Sequence, residues 1–247
     1  MSMLQGFFLL VHVIAGTIGL AAFWVPVFSR KGGKNHRLFG KVFKYSAYIL
    51  LLAAALSLSI RIPQLLLSGL DNEESLIRLS FMVFLAYLLV VVYISIRHGF
   101  AVLKQKQDIR KLDTPLNRAL ANLAIVSSVL LVVFTIIVSP PMQILLYALS
   151  PIGVFTGLDI RSALKNREDY RQRWLYEHLG AMLGTGVAFH TAFAVFGANQ
   201  LFDLNFNGFL QIIPWITPTL IGVPAIALWT RFYKKRYGDL HTQTAKS

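Results

Sequence analysis

The positive charge of this chain is gathered into four short segments. Of 24 Lys and Arg residues, 22 lie within residues 30–44, 97–118, 161–173 and 231–246; only Arg61 and Arg78 lie elsewhere. Long apolar stretches separate the four segments. A chain that crosses a bilayer several times keeps Lys and Arg in its short cytoplasmic loops, so the pattern constrains both the number of crossings and their direction.

Composition leaves little alternative. The 247 residues are 55% hydrophobic and only 14% charged, against roughly 25% charged in a soluble domain. The formal charge of +13 does not point to nucleic acid, because it sits in short loops where membrane topology accounts for it. The same loops are expected to attract anionic lipid head groups at the cytoplasmic leaflet. The absence of cysteine excludes disulfides, thiolate-ligated haem, Cys-bound iron–sulfur clusters and a Cys nucleophile. The N-terminal apolar run is read as a span, not a cleavable signal, because its basic residues follow it.

Seven segments reach the roughly 20 apolar residues that a helical crossing needs: residues 4–28, 42–62, 76–96, 116–139, 142–160, 174–197 and 209–232. Basic residues follow the first, third, fifth and seventh. Asp71, Glu73 and Glu74 follow the second, and Asp203 follows the sixth. The expected fold is an all-α bundle of seven transmembrane helices in the inner (cytoplasmic) membrane. The N-terminus is placed outside and the C-terminus in the cytoplasm. Trp24, Trp174 and Trp229 then fall at inner ends and Trp215 near an outer end, as interfacial anchors do. The expectation is a single domain over 1–237, followed by a disordered tail over 238–247.

An ionisable group inside a bilayer is costly and so a candidate for function. By position no Asp, Glu or Lys falls at mid-membrane, which leaves histidines. His12 in the first span and His190 in the sixth both fall in the outer half, where they could serve as axial ligands of a haem b. At the inner side, His36, His98 and His178, with Glu177 and Asp159 nearby, are candidates for a divalent metal such as zinc with an open position. No HxxxH or HExxH spacing supports that set, and interfacial histidines also bond backbone, phosphate or carboxylate. A two-haem cytochrome is disfavoured: only the sixth span carries two histidines, His178 and His190, which lie about 120° apart around the helix. Small residues follow His12 at helical spacing (Ala15, Gly16, Gly19, Ala22), and Gly180 and Gly184 form a GxxxG pair. Such faces commonly pack helices. The seventh span carries Pro214, Pro218 and Pro224, which bend or break a helix.

The stretch HVIAGTIGLAAFWVPVFSRKGGKNHRLFGKVF, residues 12–43, resembles the first helix and loop of a family of bacterial membrane proteins of unassigned function. The shared pattern is a histidine (His12), a Gly-rich helix (Gly16, Gly19) and a loop with Lys31-Gly32-Gly33, His36-Arg37 and Gly40. Residues 173–193 are similar to the histidine-bearing penultimate helix of the same group. The resemblance implies a multi-pass inner-membrane protein and directs attention to His12, His36 and His178. It implies no activity. Four readings remain open: a membrane protein holding a haem or metal through histidines, a small-solute transporter using a proline-broken seventh helix, a metal-dependent hydrolase at the cytoplasmic face, and a non-catalytic accessory or sensor subunit.

Overall fold

The computed structural model describes residues 3–165, 170–197 and 212–239. Those residues are almost wholly helical, with no strand among them. The helices are α1 (Met3–Phe28), α2 (Lys34–Leu67), α3 (Glu73–Ala101), α4 (Pro115–Val138), α5 (Gln143–Leu149), α6 (Pro151–Lys165), α7 (Arg173–Ala192) and α8 (Ile213–Arg236). Two 3-10 turns, Val102–Lys104 and Ile109–Leu112, follow α3, and a π-helical turn, Phe193–Gly197, continues α7. Seven helical stretches are long and apolar enough to cross a membrane, the fifth being α5 and α6 together. Their outward faces suit a lipid solvent. Leu220, Ile221 and Leu228 of α8 and Leu130, Ile136 and Ile137 of α4 are all exposed.

The chain divides into two compact units, 1–94 with 115–161 and 95–114 with 162–247, which hydropathy alone does not distinguish. In the first, α1 and α2 form a hairpin. The small face of α1 is its packing face: Ala15, Gly19 and Ala22 are buried, and Gly16 lies against Leu50 of α2. Phe23 and Phe43 meet with ring centroids 5.6 Å apart. Gln5 and Gln64, the polar residues near the far end of the hairpin, bond each other at 2.7 Å.

The loop of this hairpin gives the Lys-Gly-Gly…His pattern a physical role. The last carbonyls of α1 have no partner within the helix. Lys31 Nζ donates to two of them, Pro26 at 2.8 Å and Val27 at 2.6 Å. His36 Nδ1 meets the Pro26 carbonyl as well, at 3.2 Å. Gly32 turns the chain with φ of 74°, a conformation that costs a residue with a Cβ. A Cβ on Gly33 would stand 2.9 Å from the Arg30 carbonyl oxygen.

The fifth span is interrupted. Helix α5 ends at Leu149 and α6 starts at Pro151, which has no N–H to give the preceding turn. Tyr87 of α3 fills the gap. Its hydroxyl accepts from Gly153 N at 2.8 Å and reaches the Ser150 and Leu149 carbonyls at 2.8 and 3.1 Å. Ser128 Oγ of α4 lies 3.4 Å away. Glycines let α6 approach α4 here: a Cβ on Gly153 would collide with Ser128 Oγ and the Ala124 carbonyl, and one on Gly157 with the Ala121 carbonyl.

Among the described residues the seventh span is not broken. Helix α8 runs without interruption through Pro218 and Pro224 to Arg236, with Pro214 in its first turn. Inside a bilayer a helix has no alternative partner for its backbone, so a proline bends it without ending it. In the second unit, Gly222 of α8 lets Val187 of α7 come close, and Gly99 of α3 does so for Ala181 and Met182. The GxxxG pair has no such role: no described atom lies within 4 Å of where a Cβ of Gly180 or Gly184 would stand. The core near the loops joins Val102, Ile109 and Ala163, with Leu112 and Trp174 against them.

Candidate functional site

The first turns of α7 put Arg173, Tyr176 and Glu177 on one helix face, three and four residues apart, and all three are buried. Glu177 joins two of the chain's other polar groups through its two oxygens. Arg173 Nε pairs with Oε1 at 2.8 Å, and His98 Nε2 of α3 lies 3.1 Å from Oε2. A further Arg173 nitrogen donates to Ser162 Oγ of α6 at 3.4 Å. The side chains of His98, Arg173 and Glu177 are only 8%, 9% and 4% exposed. At that burial each partner's loss leaves a charge or dipole without water to compensate it.

Beside this row, Asp239 closes the start of α7. Gly238, with φ of 78°, turns the chain back after α8. Asp239 Oδ2 then accepts from Tyr176 Oη at 2.6 Å and from the Gln172 amide at 3.4 Å. Lys234 Nζ sits 4.2 Å from the Tyr170 ring centroid and 5.6 Å from that of Tyr176, within cation–π range. Asp239 is therefore a buried contact of the second unit. The expected tail over 238–247 otherwise lies outside the described residues.

The histidines share a feature that spacing does not reveal. His12 Nδ1 faces the Leu50 carbonyl at 3.3 Å, and His36 Nδ1 the Pro26 carbonyl at 3.2 Å. His178 Nδ1 faces the Gly99 carbonyl at 2.7 Å, and His190 Nδ1 the Gly186 carbonyl one turn back, also at 2.7 Å. A carbonyl can only accept, so Nδ1 donates in each case. In the neutral ring the lone pair then belongs to Nε2. This is the arrangement by which proteins fix the tautomer of a histidine that ligates metal. His98 differs, with its Nε2 on Glu177.

His12 and His36 belong to the first unit; His98, His178 and His190 belong to the second. Among the described residues no group of three His, Asp or Glu side chains could hold a metal ion. In the sequence Glu177 stands beside His178. The structure pairs it with His98, 79 residues away. Arg173 joins the site beyond the residues expected from the sequence, and its i,i+4 spacing to Glu177 is the signal of an ion pair along a helix. Tyr87 and Gln5 are marked only by their position within apolar stretches, and Gln64, two residues past the second one, by nothing in the sequence.

No family model, curated protein or solved structure matches the chain.

Proposed function

We propose that the chain is a multi-pass protein of a bacterial cytoplasmic membrane, with its N-terminus outside, that holds a haem b through the Nε2 atom of a membrane histidine. The observation that carries this reading is the set of four histidines whose Nδ1 atoms are engaged by backbone carbonyls. A buried histidine satisfies its N–H on a carbonyl in any case; the same bond leaves Nε2 as the atom an axial ligand would offer. His12 and His190 are the first candidates, because both belong to spanning helices, His12 within α1 and His190 in the last turn of α7. The porphyrin would supply redox chemistry or gas binding, and the protein the ligand and an apolar setting.

Haem is favoured over a bare divalent ion because it needs only one or two imidazoles from the protein, whereas a zinc site draws on three or four ligands. The hydrolase reading would have His98 share an ion with His36 and His178, yet its Nε2 faces Glu177. Transport is less well supported. The interruption in the fifth span is closed by the Tyr87 hydroxyl, and α8 is continuous.

The test is an absorption spectrum and elemental analysis of detergent-purified protein expressed with added haem precursor. A Soret band that His12→Ala or His190→Ala removes, while His178→Ala leaves it in place, supports the reading. Colourless wild-type protein without iron overturns it.

A further inference from the structure

The second unit carries a polar pocket outside the histidine positions. It is an open cavity of about 190 Å³ walled by the loop after α3 and the start of α7. Lys106, Arg110, Arg171 and Arg173 line it, against one carboxylate, Asp108. Asp108 is already engaged. Its Oδ1 accepts from the Arg110 amide at 3.1 Å and from Arg110 Nε at 2.9 Å. These bonds hold its carboxyl below the ordinary carboxylate range. The wall therefore presents an excess of positive charge around a space that fits one small anion with a few waters, each taking roughly 30 Å³.

We infer that this pocket binds a phosphate group, and that the phosphate is carried by an anionic phospholipid at the membrane surface. Arginine recognises phosphate through two parallel N–H bonds, and the pocket holds Arg171 and Lys106 beside Arg110 and Arg173, which already pair with Asp108 and Glu177. Two further observations favour a lipid. The pocket draws on two of the four basic segments, 97–118 and 161–173, so they converge at one end of the helices that bear them. That is the end where phosphates of the leaflet lie. Trp174, a residue that favours the interface, forms part of the wall, with Lys106 Nζ 4.7 Å from its ring centroid. Arg173 also lines the pocket while pairing with Glu177, which links the bound anion to the buried row behind it.

The test is native mass spectrometry of the full chain in detergent, offered phosphatidylglycerol and phosphatidylcholine of matched acyl chains. Wild-type protein is expected to retain one phosphatidylglycerol in preference. The double variant Lys106→Gln/Arg171→Gln should lose that preference by about tenfold or more, as two surface cations are removed. Both residues are exposed, so folding is spared. The control is Lys34→Gln/Lys41→Gln, two exposed lysines of the first unit, which should leave the preference intact. Equal loss in both variants would assign the affinity to diffuse surface charge and overturn the site, as would a wild type without preference. A second arm titrates inorganic phosphate into delipidated protein and follows tryptophan fluorescence, with Trp174→Phe as the blank. A saturable change that the Lys106→Gln/Arg171→Gln variant abolishes, in a protein without preference for phosphatidylglycerol, keeps the phosphate chemistry and overturns the lipid as its source.

Discussion

Glu177 holds two partners with one carboxylate, so its loss should cost more than either contact suggests. Glu177→Ala leaves a buried guanidinium uncompensated, and we expect a loss of about 3–5 kcal/mol, read as thermal unfolding in detergent. Arg173→Met/Glu177→Leu removes the charges together and should be less destabilised than Glu177→Ala alone. Additive losses would show that the pair is not coupled. Half of this row was legible. The spacing of Arg173 and Glu177 announces an ion pair, but no local signal joins either to His98, because that contact depends on how α3 meets α7. The hairpin loop was legible as a pattern and opaque as a mechanism: only the structure shows Lys31 and His36 on the open end of α1. Asp108 gives a pH dependence. Its carboxyl is held low by Arg110, so its bond to the Arg110 amide is present above the ordinary carboxylate range. The bond is lost as pH falls through the lowered value. Protection of that amide from hydrogen exchange, relative to its intrinsic rate, should fall only in acid, and in Asp108→Asn it should lose this dependence.

At the scale of helices, small residues separate into those that permit contact and those that do not. Gly153→Ala would drive a methyl into Ser128 and the Ala124 carbonyl, and we expect a loss of about 1–3 kcal/mol from overpacking. Gly180→Ala and Gly184→Ala meet no described neighbour and should be neutral or stabilising by about 0.5–1 kcal/mol, the usual gain of Ala over Gly inside a helix. Thermal unfolding of the three variants checks the order. A sequence motif ranks these positions the other way, because GxxxG is recognisable and a lone glycine beside a proline is not. The prolines behave similarly. Three in the last span look disruptive, yet the interruption falls in the fifth span, where Pro151 coincides with a tyrosine positioned to replace the missing bond. Tyr87→Phe removes that replacement and should cost about 1–3 kcal/mol for the Gly153 N–H left buried.

Across the whole chain, seven apolar helices were readable from hydropathy because lipid imposes a simple rule on length and composition. The division into two units was not, since nothing in hydropathy records which helices share neighbours. The proposed orientation has a clean test. The chain has no cysteine, so one introduced at Ser68 or at Gln107 is unique. In intact cells an impermeant maleimide should label Ser68→Cys and spare Gln107→Cys, and the reverse would invert the topology. The interrupted fifth span also has a bearing on biogenesis. Its backbone cannot be fully paired from within, and an unpaired N–H entering hydrocarbon is penalised heavily. Tyr87 precedes Gly153 by 66 residues, so the helix that supplies the missing partner is synthesised first and can await the incoming segment in the bilayer. A chain rearranged so that the fifth span emerged before the third would have to insert that segment with its gap open, and the translocon would be expected to release a fraction of it unspanned.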